Sequence, residues 1–366
     1  MNTLRSFFKK ETVLCIAALA AVISCFFVPP SLAYFSYIDY RVLALLFSLM
    51  AIVAGLRQDG VFDWLSARLV GKVRTSRGLM LTLVLLAFFS SMVITNDVAL
   101  ITFVPFAMLV LTAAGLQEQI ITTLTLQTIA ANLGSMLTPV GNPQNLYLYS
   151  TYDIPVIQFF QITLPVTAVS LVLLVIVSVC RRSVPVTPEG IKNSATVNKR
   201  GLYINLALFT LTLLSVLRVV HYLVPLIVTA AVLLLTDRTR FQKVDWGLLA
   251  TFVCFFIFVG NIGRMETVSG WIASAMEGRE MLFGILVSQV ISNVPAAALL
   301  SAFTDNARAL LLGTNIGGLG TLVASLASLI SYKAYAGSPG AAKNKYLLKF
   351  TIYNLLFLLL LAAIFI

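Results

Sequence analysis

Two stretches carry the side chains best suited to binding chemistry. The first runs Asn132-Leu133-Gly134-Ser135-Met136-Leu137-Thr138 and continues through Gly141, Asn142 and Asn145. The second runs Asn315-Ile316-Gly317-Gly318-Leu319-Gly320-Thr321 and continues through Ala324, Ser325 and Ser328. A shift of 183 residues lays one on the other without a gap. Upstream of each stands an Asn inside apolar sequence, in Thr95-Asn96-Asp97 and in Ser292-Asn293-Val294-Pro295. Carboxamides and hydroxyls donate and accept hydrogen bonds. They fit reversible binding of a small solute or ion.

Bond-breaking chemistry finds little material. A catalytic site needs a nucleophile with a base, or a metal cluster. The chain has one histidine, His221, beside Arg218, and it reads as an interfacial, solvated residue. Cys15, Cys25, Cys180 and Cys254 form no CxxC pair and fall in or at the ends of apolar runs, as small buried hydrophobes do. No Walker motif is present, so no ATP-driven step is expected of this chain. The expectation is a protein that is not an enzyme, with no cofactor and no structural metal.

Asp97 is the residue to weigh. Of the 14 acidic residues, it is the only one that the span assignment below puts at mid-membrane. An ionised carboxylate there costs roughly 2.5–3.5 kcal/mol. Either it holds a coupling H+ or Na+, or it caps a helix. An ionised Asp97 repels an anionic cargo. Its presence therefore points to cotransport with cations, or to a neutral cargo such as an undissociated metalloid acid.

The elements that must position these residues are set by composition. The chain is 59% hydrophobic and 11% charged, against about 25% charged in soluble domains. Lipid must be its solvent. The net charge of +11 sits in short clusters between apolar runs, which encodes topology and argues against nucleic-acid binding. Apolar spans are expected at about 12–28, 41–56, 156–180, 202–218, 221–236, 246–263 and 346–366. The first is expected to be a retained helix stopped by Pro29-Pro30, although a signal peptide has the same outline. Regions 78–114, 119–150 and 281–333 are apolar but interrupted by Asn, Gly, Thr, Ser and Pro.

Orientation follows from the basic residues. With the N-terminus in the cytoplasm and the C-terminus outside, 20 of the 25 Lys and Arg lie inside; Arg41, Arg218, Arg264, Arg279 and Arg308 are the 5 outside. Segments 78–114 and 281–304 are then re-entrant hairpins, and 119–150 and 307–333 are broken transmembrane helices. Helix 41–56 runs inward and 246–263 outward, so the repeats are inverted. Upstream of each hairpin lies a glycine-led amphipathic helix, Gly55 to Leu69 and Gly260 to Met276. The expected organisation is an N-terminal helix (1–40), a first repeat (41–182), a cytoplasmic linker (183–201), a connecting helix pair (202–245) and a second repeat (246–366). Inverted repeats with matching broken helices point to a transporter's binding site. A helix stopped at mid-membrane exposes N–H groups that attract anions and C=O groups that can coordinate Na+. The candidate binding residues are Thr95, Asn96, Asp97, Asn132, Gly134, Thr138, Gly141, Asn142, Asn145, Ser292, Asn293, Asn315, Gly317, Thr321 and Ser325, with Na+ near Asn96 and Asn293.

These motifs resemble the ion transporter superfamily, which includes citrate and dicarboxylate permeases, arsenite permeases and a sodium/proton antiporter branch. The resemblance spans about residues 40–366. It rests on Thr95-Asn96-Asp97, on Gly134 to Asn145 with its Gly-Asn-Pro-Gln-Asn, on Ser292-Asn293, and on Thr314-Asn315 to Ser328. It implies an all-α polytopic fold with two inverted repeats, elevator-type movement of a transport domain against a scaffold, and a homodimer in the cell membrane. The dicarboxylate branch carries Ser-Asn-Thr at both tips, and this chain does not; its Asn-Asp pair is closer to the arsenite branch. The function expected is secondary active transport of a small anion (carboxylate or inorganic oxyanion) coupled to H+ or Na+, with arsenite or antimonite efflux as the alternative.

Overall fold

The structure, a computed structural model, describes residues 11–186 and 196–366. Arg5, Lys9, Lys10 and Lys192, which contributed to the orientation, lie outside the described residues, as does the middle of the expected linker, 187–195. Among the described residues the chain is helical and has no strand. The helices are α1 (Thr12–Phe27), α2 (Tyr40–Gln58), α3 (Val61–Val70), α4 (Ser76–Ser90), α5 (Asn96–Ala113) and α6 (Gln117–Ser135). They continue with α7 (Pro143–Thr151), α8 (Val156–Val179), α9 (Lys199–Val216), α10 (Leu223–Thr236), α11 (Trp246–Gly263) and α12 (Glu266–Met276). The last are α13 (Glu280–Ile291), α14 (Asn293–Leu300), α15 (Ala307–Gly317), α16 (Leu326–Ala336) and α17 (Lys343–Phe365).

Helices α2, α5, α8, α11 and α17 are long and apolar enough to cross a membrane, and several shorter helices are equally apolar. In hydrocarbon every backbone group must be satisfied internally, and helices do this within one segment. Large apolar side chains such as Ile157, Leu164 and Val172 on α8, and Leu348, Ile352 and Leu359 on α17, stay exposed. They are the surface that lipid covers. The chain is a multi-pass, all-α membrane protein.

The interior is apolar but holds many small polar side chains. Helix α6 is buried from Ile120 to Ser135 and packs against α4, α5, α8 and α17. Its hydroxyls return to their own helix: Thr123, Thr125 and Thr128 donate to the carbonyls of Gln119, Ile121 and Leu124 at 2.9, 2.8 and 2.8 Å. Such back-bonding lets a hydroxyl sit dry without an outside partner.

One expectation changes. Gly55 and Gly260 do not lead amphipathic helices; both lie inside the preceding helices, α2 and α11. Gly55 faces the Asn205 and Arg240 side chains, and Gly260 faces the Tyr37 ring. The first amphipathic helix, α3, instead begins after Gly60, whose φ of +75° makes the turn. The second, α12, begins at Glu266.

Candidate substrate site

Four helices begin around one cavity. Helix α5 follows the tip after α4, and α7 follows the break after α6. Helices α14 and α16 occupy the same places after α13 and α15. Capping residues explain why helix starts there. Asn142 accepts from the Asn145 N–H at 2.9 Å, and Pro143 takes the first helical position, where no N–H is needed. Ser325 accepts from the Ala327 N–H at 3.2 Å. The first turns of all four helices line one cavity of about 1180 Å³ through Thr95, Asp97, Asn142, Pro143, Val294, Pro295 and Leu326. Each start presents the positive end of its helix dipole, while the N–H groups of Asn96, Asp97, Asn145, Asn293 and Ala327 already have acceptors within the protein.

The two halves close in the same way. The Asn96 N–H donates to the Gly141 carbonyl at 3.1 Å, and the Asn293 N–H donates to the Ala324 carbonyl at 2.9 Å. The Thr138 hydroxyl donates to the Met92 carbonyl, and the Thr321 hydroxyl to the Gln289 carbonyl. Gly141 and Ala324 are counterparts at the 183-residue shift, as are Thr138 and Thr321. Each tip is therefore bound to its own break.

The halves are then cross-linked. Asn132 Oδ1 accepts from Asn96 Nδ2 at 2.9 Å and from Ser325 Oγ, in the other half, at 3.0 Å. Asn315 Oδ1, its counterpart, accepts from Asn142 Nδ2 at 3.2 Å. Asn132 Nδ2 donates to the Gly318 carbonyl at 3.3 Å, and Asn315 Nδ2 to Asn145 Oδ1 at 2.7 Å. The carboxamide of one half is thus met by the capping residue of the other, in both directions.

Close approach explains two glycines. A Cβ on Gly134 would run into the Phe88 carbonyl and lie 2.7 Å from Ser91 Oγ; one on Gly317 would lie 2.8 Å from Ser288 Oγ and 2.9 Å from the Gly284 carbonyl. Each break thereby packs directly on its hairpin. Ser292 has φ +75° and ψ 154°, a region that only glycine occupies freely.

The candidate residues divide by role. Thr95, Asp97 and Asn142 face the cavity. Asn96, Asn132, Asn145, Ser292, Asn293, Asn315 and Ser325 are buried beside it. Gly134, Gly141 and Gly317 are packing positions. Thr138 and Thr321 each hold a hairpin to a break. The Asp97 carboxylate is half-buried, and no described residue donates to it.

Some residues had no signal in the sequence. The cavity wall also carries Arg57, Lys243 and Lys333, all exposed, with Glu11 and Asp245. Next to it is a buried cluster. Asp59, 4% exposed, accepts from Asn198 Nδ2 at 3.0 Å and Asn205 Nδ2 at 2.7 Å, with the Arg240 guanidinium 3.9 Å away. Gln58 Nε2 donates to Asp237 at 2.7 Å. These residues come from three separate segments, so no local spacing announces them.

A sequence model of the citrate transporter family matches residues 7–312. The chain belongs to the citrate transporter family. An uncharacterized transporter of Methanocaldococcus jannaschii is 30% identical over 307 residues, 83% of each chain. The Escherichia coli inner membrane protein YbiR is 32% identical over 308 residues, 81% of this chain and 80% of its own. A silicon efflux transporter of Oryza sativa subsp. japonica is 31% identical over 131 residues, 36% of this chain and 27% of its own. Membership of this family makes the chain a transporter.

Proposed function

We propose that this citrate transporter family member is a secondary active transporter of a small anion, a carboxylate or inorganic oxyanion, coupled to H+ or Na+. The observation that carries the reading is the set of four helix starts around one cavity. Each contributes about half a positive charge at its N-terminus. Backbone leaving the helix inside a bilayer is tolerated where it lines such a cavity. The matched hydrogen bonds of the two halves support an inverted-repeat origin. The direct bonds between them support the hairpins and breaks moving as one unit against a scaffold containing α2, α9 and α10, as an elevator does. In the charge-based orientation, the cavity faces the cytoplasm through Arg57, Lys243 and Lys333. A homodimer with cytoplasmic N-terminus and external C-terminus completes the proposal.

A second reading is efflux of a metalloid acid such as arsenite or antimonite. Asp97 in the cavity wall favours it, because a neutral cargo is not repelled by a carboxylate. The partial similarity to a silicon efflux transporter points the same way.

The test is flux in proteoliposomes with imposed ion gradients and ionophores. Saturable uptake that follows a gradient and collapses with the matching ionophore is expected. Unsaturable flux indifferent to ionophores would mean a passive pore. A thermal-shift screen of citrate, dicarboxylates, oxyanions and arsenite separates the two readings, since a bound ligand stabilises the folded state by mass action.

A further inference from the structure

One carboxamide fills each break. At the first, Asn145 Nδ2 lies 3.4, 3.1 and 3.2 Å from the carbonyl oxygens of Ser135, Met136 and Thr138. Its Oδ1 accepts from Asn315, so the N–H2 end must face the carbonyls. At the second, Gln289 Nε2 donates to the Ile285, Gly317 and Leu319 carbonyls at 3.1, 2.8 and 3.0 Å. Its Oε1 accepts from the Thr321 N–H at 2.9 Å. Met136 and Leu319 are counterparts.

The two amides come from different places. Asn145 sits on the half-helix after its break; Gln289 sits on the hairpin before its break. The residue matching Asn145 in the second half is Ser328, whose buried hydroxyl has no partner. The residue matching Gln289, four before the tip asparagine, is Met92 in the first half. Each half thus carries one amide and lacks the other. Descent from a common repeat does not produce this exchange. A shared need to satisfy the same carbonyls does.

Several carbonyl oxygens turned toward one small space can coordinate a dehydrated alkali cation. The partial positive charge of an amide N–H2 satisfies them equally, and the space holds only one of the two. We propose that Asn145 and Gln289 determine coupling specificity: their N–H2 groups occupy the carbonyl cages of both breaks, so these cages bind no Na+ and transport runs independently of sodium. The transport half of this statement rests on the secondary-transporter reading; the cage half does not.

The experiment measures binding of radiolabelled Na+ to the full-length protein in nanodiscs, with choline holding ionic strength constant. Wild type is expected to show no saturable sodium binding. In Gln289→Glu a carboxylate oxygen faces the carbonyls and requires a cation between them; about one saturable Na+ per chain is expected. Asn145→Asp is expected to do the same at the first break. Gln289 is half-buried, and Gln289→Ser, which empties the cage without adding charge, guards against misfolding. Saturable sodium binding by wild type overturns the proposal. So does its absence from variants that stay monodisperse and melt cooperatively. Flux in proteoliposomes is measured alongside. Wild type that neither binds sodium nor moves any cargo would sink the transporter reading and leave the cage assignment standing.

Discussion

Replacing Asn132 by alanine tests the cross-link between the halves. The change removes three hydrogen bonds, from Asn96 at 2.9 Å, from Ser325 at 3.0 Å and to Gly318 at 3.3 Å. It leaves the Asn96 amide at 4% exposure without that acceptor. Interhelical hydrogen bonds in membrane proteins average about 0.6 kcal/mol each, so the bonds alone amount to about 2 kcal/mol. A buried donor left unpaired adds about 1–3 kcal/mol. The expected loss is therefore about 3–5 kcal/mol, with the stranded donor contributing about as much as the bonds themselves. Reversible unfolding in mixed micelles measures it. A double-mutant cycle with Ser325→Ala separates the bond between halves from the rest, with an expected coupling of about 0.5–1.5 kcal/mol. An Asn132→Ala variant within about 0.5 kcal/mol of wild type, additive with Ser325→Ala, would refute the idea that this carboxamide joins the halves.

Other perturbations have defined outcomes. Gly134→Ala drives a methyl group into the Phe88 carbonyl and should abolish folding or cost more than about 3 kcal/mol, read as loss of monodisperse protein. Asp59→Ala strands the Asn198 and Asn205 amides that donate to it and leaves Asp237, at 3.5 Å, as the carboxylate beside the Arg240 guanidinium; a cost of about 2–4 kcal/mol is expected in the same unfolding assay. Asp97→Asn keeps the fold and should remove the pH dependence of cargo flux; unchanged pH dependence would end its coupling role. Neutralising Arg57, Lys243 and Lys333 together to Gln should raise KM for an anionic cargo loaded from that side, by a factor that shrinks as salt increases.

The tips and breaks could be read from the sequence because their physics is local. Apolar runs of span length and the Asn-Gly-Thr interruptions are visible along the chain. So was the 183-residue register that pairs Gly141 with Ala324, and each of these carbonyls accepts from the tip asparagine of its own half, Asn96 or Asn293. The spans at 156–180 and 246–263 were legible almost to the residue, since composition alone marks where lipid ends. The glycine-led helices were misread at Gly55 and Gly260, because a glycine that packs against Arg240 or Tyr37 looks the same in sequence as one that starts a helix.

What the sequence determined was residue type and order: a membrane solvent, two polar interruptions in corresponding positions, and one acid, Asp97, at the first tip. What only the tertiary structure decided was which groups face the cavity and which face each other. Asn142 points one way to the cavity and the other to Asn315, while Asn145, three residues on, is fully buried. Nor does spacing reveal that Gln289 on a hairpin does for one break what Asn145 does for the other. Hydrogen bonds reach only about 3 Å, so partners far apart in the chain are chosen by packing and not by pattern.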